Sequence, residues 1–149
     1  MHFRAKIDSF FLTLIAIIIL FLAVMLGIPV LIDYSTLGTE GLLTMTAIFL
    51  VTSGFLLWLT YDIHYVLYEE YLLVRGGPIR SRIPYDQITR VSDTKDIYTG
   101  YRILSAKKAI EIHYKTALLG SVKISPKDES LFLSELQRRA PHARFEVEV

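Results

Sequence analysis

The sequence lacks cysteine, and two long stretches of it lack charge. The absence of cysteine from all 149 residues excludes disulfides, thiolate zinc sites and cysteine nucleophiles. No charged residue occurs between Asp8 and Asp33 or between Glu40 and Asp62, which leaves uncharged runs of 24 and 21 residues. Both runs are strongly apolar and lack the polar stripe of a surface helix. We therefore predict two transmembrane helices, at about residues 10–32 and 41–61.

A cleaved signal peptide is the alternative interpretation of the first apolar run. Arg4 and Lys6 resemble the positive region at the start of such a signal. However, the run is much longer than the roughly 7–15 apolar residues of a signal peptide, and no small-x-small cleavage site follows it. We therefore favour a membrane anchor.

The distribution of basic residues predicts how the two helices cross the membrane. The short connection Asp33–Glu40 contains two acids and no Lys or Arg, which predicts a tight antiparallel hairpin. Basic flanks remain in the cytoplasm, so we expect a multi-pass protein with both termini on the cytoplasmic side. The basic residues in question are Arg4, Lys6, Arg75, Arg80 and Arg82. The aromatic residues expected at the membrane interface are Tyr34, Trp58, Tyr61 and Tyr65.

The remainder of the chain predicts a second domain. We expect residues 1–61 to form the tail and the hairpin, and residues 62–149 to form a cytoplasmic domain. That second part holds 14 Lys and Arg against 12 Asp and Glu, a net charge of +2. A nucleic-acid-binding protein would carry a larger and more clustered positive charge, so no nucleic-acid partner is expected.

Alternation of apolar and polar residues predicts short strands in this domain. Two strands flank the acidic pair Glu69-Glu70, and Gly76-Gly77-Pro78 turns the chain into a third. Pro84 favours a short helical turn over "PYDQI". The predicted strands lie near residues 64–68, 71–75, 79–84, 89–95, 109–114 and 121–125, with a further one in 143–149.

The stretch "ISPKDESLFLSEL" marks the change from strand to helix. Ser125, Pro126 and Asp128 fit the capping-box pattern, so we predict Ser125 as the N-cap, Pro126 at N1 and Asp128 at N3. A Ser-Pro phosphorylation site and an anion site at the helix start are the alternatives. The cap is favoured over phosphorylation because the Ser125 hydroxyl would be engaged with the N3 amide. It is favoured over anion binding because Asp128 already supplies the negative charge at the helix start. The expected buried stripe comprises Phe132, Leu133 and Leu136.

Together these patterns predict an α+β fold. A two-helix transmembrane hairpin would precede an antiparallel sheet or small open barrel, with the C-terminal helix as the only available cover for the apolar face of the sheet. This is the description of a pleckstrin-homology-like (PH-like) domain.

Three segments resemble the bacterial YyaB-like PH domain family: "IPYDQI" (83–88), "LSAKKAIEIHY" (104–114) and "ISPKDESLFLSEL" (124–136). The most specific element is Ile-Ser-Pro-Lys-Asp followed by Phe132, whereas Lys107-Lys108 departs from the commoner family pattern. The resemblance covers roughly residues 65–144. It implies a small bacterial membrane protein with one or two helices before a PH-like domain. A related PH-like protein resembles an immunity factor against a peptide bacteriocin, so toxin immunity or stress protection is an alternative function.

The resemblance does not imply phosphoinositide binding. PH domains that bind these lipids use basic residues in the first hairpin turn, and Glu69-Glu70 has the opposite sign here. Basic residues that alternate along the chain favour instead a face directed toward anionic headgroups or a partner. An ordinary solvated sheet face is the alternative. The residues of this predicted face are Arg75, Arg80, Arg82 and Arg90.

Catalytic and metal-binding patterns are weak. Ser105 and Lys108 match S-x-x-K, which makes a membrane-bound serine–lysine hydrolase a minor alternative, but the other motifs of that enzyme class are missing. The four histidines lie far apart without carboxylates at ligand spacing, so neither a metal nor a cofactor is expected. The favoured hypothesis is a non-enzymatic, membrane-anchored module that binds a protein or peptide partner at an edge strand or at the end of the sheet beside the helix. The sequence leaves its oligomeric state open.

Overall fold

The structure is a computed structural model that describes residues 1–32, 34–94, 96, 98–117 and 120–147, without the side chains of Tyr34 and Thr36. Two long helices separate a short N-terminal strand from a domain of strands and one further helix. The elements in chain order are β1 (His2–Arg4), α1 (Ser9–Ile32), α2 (Tyr34–Tyr61), β2 (Ile63–Leu67), β3 (Tyr71–Gly76), β4 (Ile79–Pro84), a 3-10 turn (Tyr85–Gln87), β5 (Ile88–Thr94), β6 (Tyr101–Ile103), β7 (Ala109–Tyr114), β8 (Ser121–Ile124), α3 (Glu129–Arg139) and β9 (Arg144–Glu146).

Helices α1 and α2 are long and apolar enough to cross a membrane. The candidate spans are Ser9–Ile32 and Leu37–Tyr61, and only 6% of the most apolar part of each is buried. Large side chains such as Ile17, Phe21 and Val51 are exposed along them. Monomeric soluble proteins rarely expose apolar surface on this scale, so the two helices indicate membrane association.

The connection between the helices differs from the predicted loop. Helix α2 already begins at Tyr34 and is broken at Gly38, where φ is 62° and ψ is −176°. Residues expected to form an open loop are therefore largely helical, while Asp33 lies outside the described residues. A positive φ is accessible to glycine at little cost, which explains why the break falls at this residue.

The first sheet has the strand order β1-β2-β3-β4, and all its pairs are antiparallel. Strand β1 precedes the helical hairpin and pairs with β2, which follows it, with Phe3 opposite Tyr65. The two segments that flank the hairpin therefore share one sheet at the same end of the hairpin. The sequence assigned this tail to the hairpin and missed its strand. The domain division at residue 62 stays a prediction, but Phe3 lies in the core of the second part.

The second sheet has the order β6-β8-β7-β5-β9 and is mixed. Strands β5 and β9, and likewise β6 and β8, run parallel, whereas the sequence predicted antiparallel neighbours only. Strand β6 was not predicted. Both sheets are open, so the α+β fold with open sheets is confirmed, and a closed barrel is not formed.

Helix α3 covers the core between the sheets, as predicted. Phe132, Leu133 and Leu136 are buried on its inner face. The Phe132 ring meets that of Phe3 edge-on at 5.3 Å and that of Tyr65 at 6.3 Å. Tyr65 was expected at the membrane interface, and this prediction was wrong: its side chain is fully buried.

The predicted capping box is also wrong. Helix α3 begins at Glu129, its N-cap residue is Asp128, and the Asp128 side chain makes no capping hydrogen bond. Ser125 lies too far before the helix to cap it. Its amide donates to the Tyr65 hydroxyl, and its Oγ accepts from the Ser105 amide at 3.1 Å, so the side chain is directed into the core. Pro126 is not at N1, because it forms a β-bridge with Ala5.

Candidate functional site

The first sheet has one end beside helices α1 and α2 and one end far from them. Strand β2 starts two residues after α2 ends, and the β3–β4 turn packs on the last turns of α2. A β-carbon added to Gly77 in that turn would lie 2.3 Å from Leu59 Cδ2 and 3.9 Å from Trp58. The β2–β3 turn, with Glu69 and Glu70, lies at the opposite end. The two ends carry different chemistry.

Four basic side chains form a row across the helix-proximal end of the sheet. The strand register places Arg4 opposite His64, His64 opposite Arg75, and Arg75 opposite Arg80. Directly opposed residues in a sheet point to the same face. Because neighbouring strands lie about 4.8 Å apart, the row spans about 14 Å. We call these four residues the basic row.

The charge of the basic row is only partly neutralised. The Arg75 Nη2 atom donates to Asp62 Oδ2 at 3.0 Å, and His64 Nδ1 lies 3.7 Å from Asp62 Oδ1. In the part of the chain that the structure describes, neither Arg4 nor Arg80 has an acidic partner, and both are exposed. The row therefore carries a net positive charge at its two outer strands.

The four arginines predicted from the sequence lie in two different sheets. Arg75 and Arg80 belong to the basic row, and Arg82 lies on the same face two residues further along β4, with its guanidinium 5.7 Å from the Tyr71 ring centre. Arg90 lies in the other sheet, where it approaches His113 at 3.0 Å and Glu146 at 3.7 Å. Three of the four share a face, and whether that face contacts headgroups stays a prediction.

Arg4 and His64 are the members of the row that sequence reasoning missed. The signal was present, because His2, Arg4 and Lys6 alternate with Phe3, Ala5 and Ile7. This period of two is typical of a half-buried strand. The pattern is weak because the segment is short and adjoins the long apolar helix α1.

A cleft of about 520 Å³ occupies the opposite, helix-distal end of the sheet. We call it the distal cleft. The rings of Tyr68 and Tyr71 stack in it at 4.8 Å. Glu69 and Glu70 are exposed, and within the described ranges neither has a basic partner. Its lining residues are Met1, Leu67, Tyr68, Glu69, Glu70, Tyr71 and Arg139.

The wall of the distal cleft is held by hydrogen bonds to one carbonyl. The Tyr68 carbonyl accepts from Arg139 Nη1 at 2.7 Å and from the Tyr85 hydroxyl at 2.7 Å. The Tyr85 phenol is protonated at neutral pH and donates, and burial raises its pKa further. The last turn of α3 is thereby fixed to the β2–β3 turn, beside the exposed acids.

The S-x-x-K segment has a structural role. Ser105 is fully buried, and its hydroxyl donates to the Lys6 carbonyl at 2.9 Å. Lys108 forms an ion pair with Glu129 at 2.9 Å. The Lys107 amide donates to Asp8 Oδ2 at 2.7 Å, while Asp8 Oδ1 accepts from the Phe11 amide at the start of α1. This segment therefore joins the domain to the first helix.

Neither a metal-binding cluster nor the groove between α1 and α2 offers an alternative polar site in the described residues. In the described part of the chain, no group of three His, Asp or Glu residues could hold a metal ion. A groove of about 370 Å³ between α1 and α2 is lined almost entirely by apolar side chains, such as Leu26, Val30 and Phe49. It lies within the candidate membrane spans.

Comparison with known proteins identifies the family of the domain. Residues 63–140, a little over half of the chain, match the bacterial PH domain family. Over 87 residues the chain is 32% identical to the uncharacterized protein YyaB of Bacillus subtilis (strain 168). This similarity covers 58% of the chain and 59% of the relative, so the chain spans less than two thirds of the length of that relative.

Proposed function

The chain belongs to the bacterial PH domain family, and from this premise we propose that it is a non-enzymatic module that binds a protein or peptide partner. Helices α1 and α2 anchor it in the bacterial cell membrane, and the distal cleft receives the partner. The observation that carries the proposal is this cleft, which combines exposed acids and stacked tyrosines on a rigid wall.

The proposed topology places both termini in the cytoplasm. Support comes from the pairing of β1 with β2, which joins the segments before and after the hairpin on one side of the membrane. Arg4, Lys6 and the arginines of β3 and β4 lie in those segments, and basic segments are retained on the cytoplasmic side.

The chemistry of the distal cleft favours a basic partner segment. Glu69 and Glu70 can pair with Lys or Arg, while the face of the Tyr68 ring that does not stack on Tyr71 can accept a cation or an apolar side chain. A partner that is itself at the membrane meets the cleft at a raised effective concentration, because the hairpin confines the module to the same surface. We propose a peptide segment with a basic residue next to an apolar one.

The serine–lysine hydrolase is not part of this proposal, because the Ser105 hydroxyl is buried and already donates to a backbone carbonyl. Toxin immunity stays a prediction from the resemblance. It would follow as the biological role if the partner proved to be a membrane-active peptide.

Photo-crosslinking in the cell of origin tests the proposal. A photoreactive phenylalanine replaces Tyr68 in the cleft or, as a matched control, the exposed Tyr98 in a loop of the other sheet. We expect a discrete adduct from position 68 and not from position 98. The adduct should weaken when Glu69→Gln and Glu70→Gln are combined.

Two results would contradict the proposal. One is that position 68 gives no adduct in membranes that contain the full chain. The other is that both positions give the same adducts with the acids present or replaced, since this indicates random collision at the membrane.

A further inference from the structure

We propose that the basic row is a docking surface for anionic phospholipid headgroups of the bilayer that holds α1 and α2. Arg4, Arg75 and Arg80 would contact lipid phosphates and hold the domain down on the membrane. This proposal does not depend on the distal cleft or its partner.

The position of the row relative to the membrane is set by α2. The span Leu37–Tyr61 has 25 residues, and at 1.5 Å per residue it is about 38 Å long. The hydrocarbon core is about 30 Å thick, so a helix centred in it extends about 4 Å beyond the core at each end, which brings Tyr61 to the headgroup layer. His64 follows Tyr61 by three residues, which span at most about 10 Å. The packing of the Gly77 turn on Leu59 holds β3 and β4 at the same level.

The side chains of the row suit phosphate. A guanidinium presents a planar fork of donors that matches phosphate oxygens, and its long apolar stem lets the charge extend to the headgroups. The outer members Arg4 and Arg80 have no acidic partner among the described residues, and Arg82 adds charge on the same face. Asp62 offsets one charge only, through Arg75.

The far end of the same sheet has the opposite sign. Glu69 and Glu70 lie five and six residues beyond His64, at the other end of β2. An anionic surface attracts the helix-proximal end and repels the distal end, so the sheet is electrostatically polarised along its strands. Lipid headgroups are the anions closest to the basic end. The distal cleft is thereby kept away from the membrane.

The absence of native cysteine allows a clean test with a single label. The full chain carries Leu73→Cys, on the face of the basic row, with a fluorophore whose quenching is measured by lipids that bear a headgroup quencher. A label at His142→Cys, beyond α3, is the control. The protein is reconstituted in nanodiscs of phosphatidylcholine or of phosphatidylcholine with phosphatidylglycerol.

Phosphatidylglycerol should increase quenching at position 73 but not at position 142, and added salt should reverse the increase. Each arginine should change the ratio of docked to undocked domain about fivefold, so Arg4→Gln with Arg80→Gln should abolish most of the effect. Lys115→Gln with Arg138→Gln removes the same charge elsewhere and should preserve it.

The proposal is overturned if quenching at position 73 is the same in both lipids, or if the Arg4 and Arg80 variant responds like the parent. The comparison between the two lipid compositions uses the labelled chain with all its arginines present. It therefore tests the docking proposal even if the arginine variant fails to fold.

Discussion

At the scale of single residues, Tyr65 links the two sheets. Its hydroxyl donates to the Ile103 carbonyl at 2.6 Å and accepts from the Ser125 amide at 3.1 Å. It extends from β2 in the first sheet to β6 and to the end of β8 in the second. Burial raises the pKa of this phenol above its ordinary value, because ionisation in the core is unfavourable.

This raised pKa predicts a loss of stability in alkali. The unfolded state ionises near pH 10, whereas the folded state retains the proton, so the stabilisation is present below about pH 10 and is lost as the pH rises further. Thermal unfolding of the full chain in detergent, measured from neutral pH into this range, should show the decline. Tyr65→Phe should make the decline of stability with pH less steep. A part of the decline should remain, because Tyr85 and Tyr114 also have raised pKa values. Parallel pH profiles for parent and variant would contradict this explanation.

Ser125 gives a second prediction at this scale. Ser125→Ala leaves the buried Ser105 amide without its acceptor, which should cost about 1–3 kcal/mol of unfolding free energy. Asp128→Ala, at the exposed N-cap position without a capping bond, should change it by less than about 0.5 kcal/mol. Denaturant unfolding of the two variants measures both values. A loss for Asp128→Ala as large as that for Ser125→Ala would contradict this account of the two residues.

At the scale of elements, the β3–β4 turn orients the first sheet on α2. Gly77 has a φ of 55°, and a side chain there would collide with Leu59. Gly100 also has a positive φ, of 79°, but no neighbour within 4 Å of an added β-carbon. Substitution of Gly100 therefore introduces backbone strain alone, whereas substitution of Gly77 introduces the same strain and a collision with α2.

Gly77→Ala should destabilise the full chain by more than about 1 kcal/mol, through strain and collision together. Gly100→Ala carries the strain alone and should cost less. The melting temperatures of both variants in the same detergent check the difference. Equal losses would show that the turn does not depend on its packing against α2.

Sequence patterns predicted where strands and helices lie better than which strands pair and which side chains contact each other. The strands from β2 to β5, β7 and β8, and the buried stripe of α3, follow from alternation and helical spacing. The predicted Ser125 cap is wrong because the Ser125 side chain accepts from the Ser105 amide and its own amide donates to the Tyr65 hydroxyl. Both partners are distant in sequence, so a local pattern cannot reveal them. The basic row depends on strand register across a sheet that begins before α1 and resumes after α2, and no local pattern shows this pairing.

At the scale of the whole molecule, one sheet is assembled from both sides of the hairpin. Phe3 is 6% exposed, and its ring packs edge-on against Phe132 at 5.3 Å. The ladder continues past β1, because the Ala5 amide donates to the Ile63 carbonyl at 3.2 Å. The residues before α1 are thus part of the core that α3 covers.

Loss of β1 should therefore weaken the domain. Phe3→Ala should cost about 3–5 kcal/mol, as expected for a large aromatic removed from a core. A fragment of residues 62–149 should be less stable than the same residues in the full chain. Hydrogen exchange of β2 amides in both forms measures this, and equal protection would mean that the domain is complete without β1.

The measurement that tests the central claim most directly is the affinity of the full chain for the partner segment found by crosslinking at position 68. The chain in nanodiscs is titrated with that segment, with the two distal acids either present or replaced by glutamine. If two ion pairs form in the distal cleft, Glu69→Gln with Glu70→Gln should raise Kd about tenfold, or about 1.4 kcal/mol. An unchanged Kd would contradict binding through this cleft.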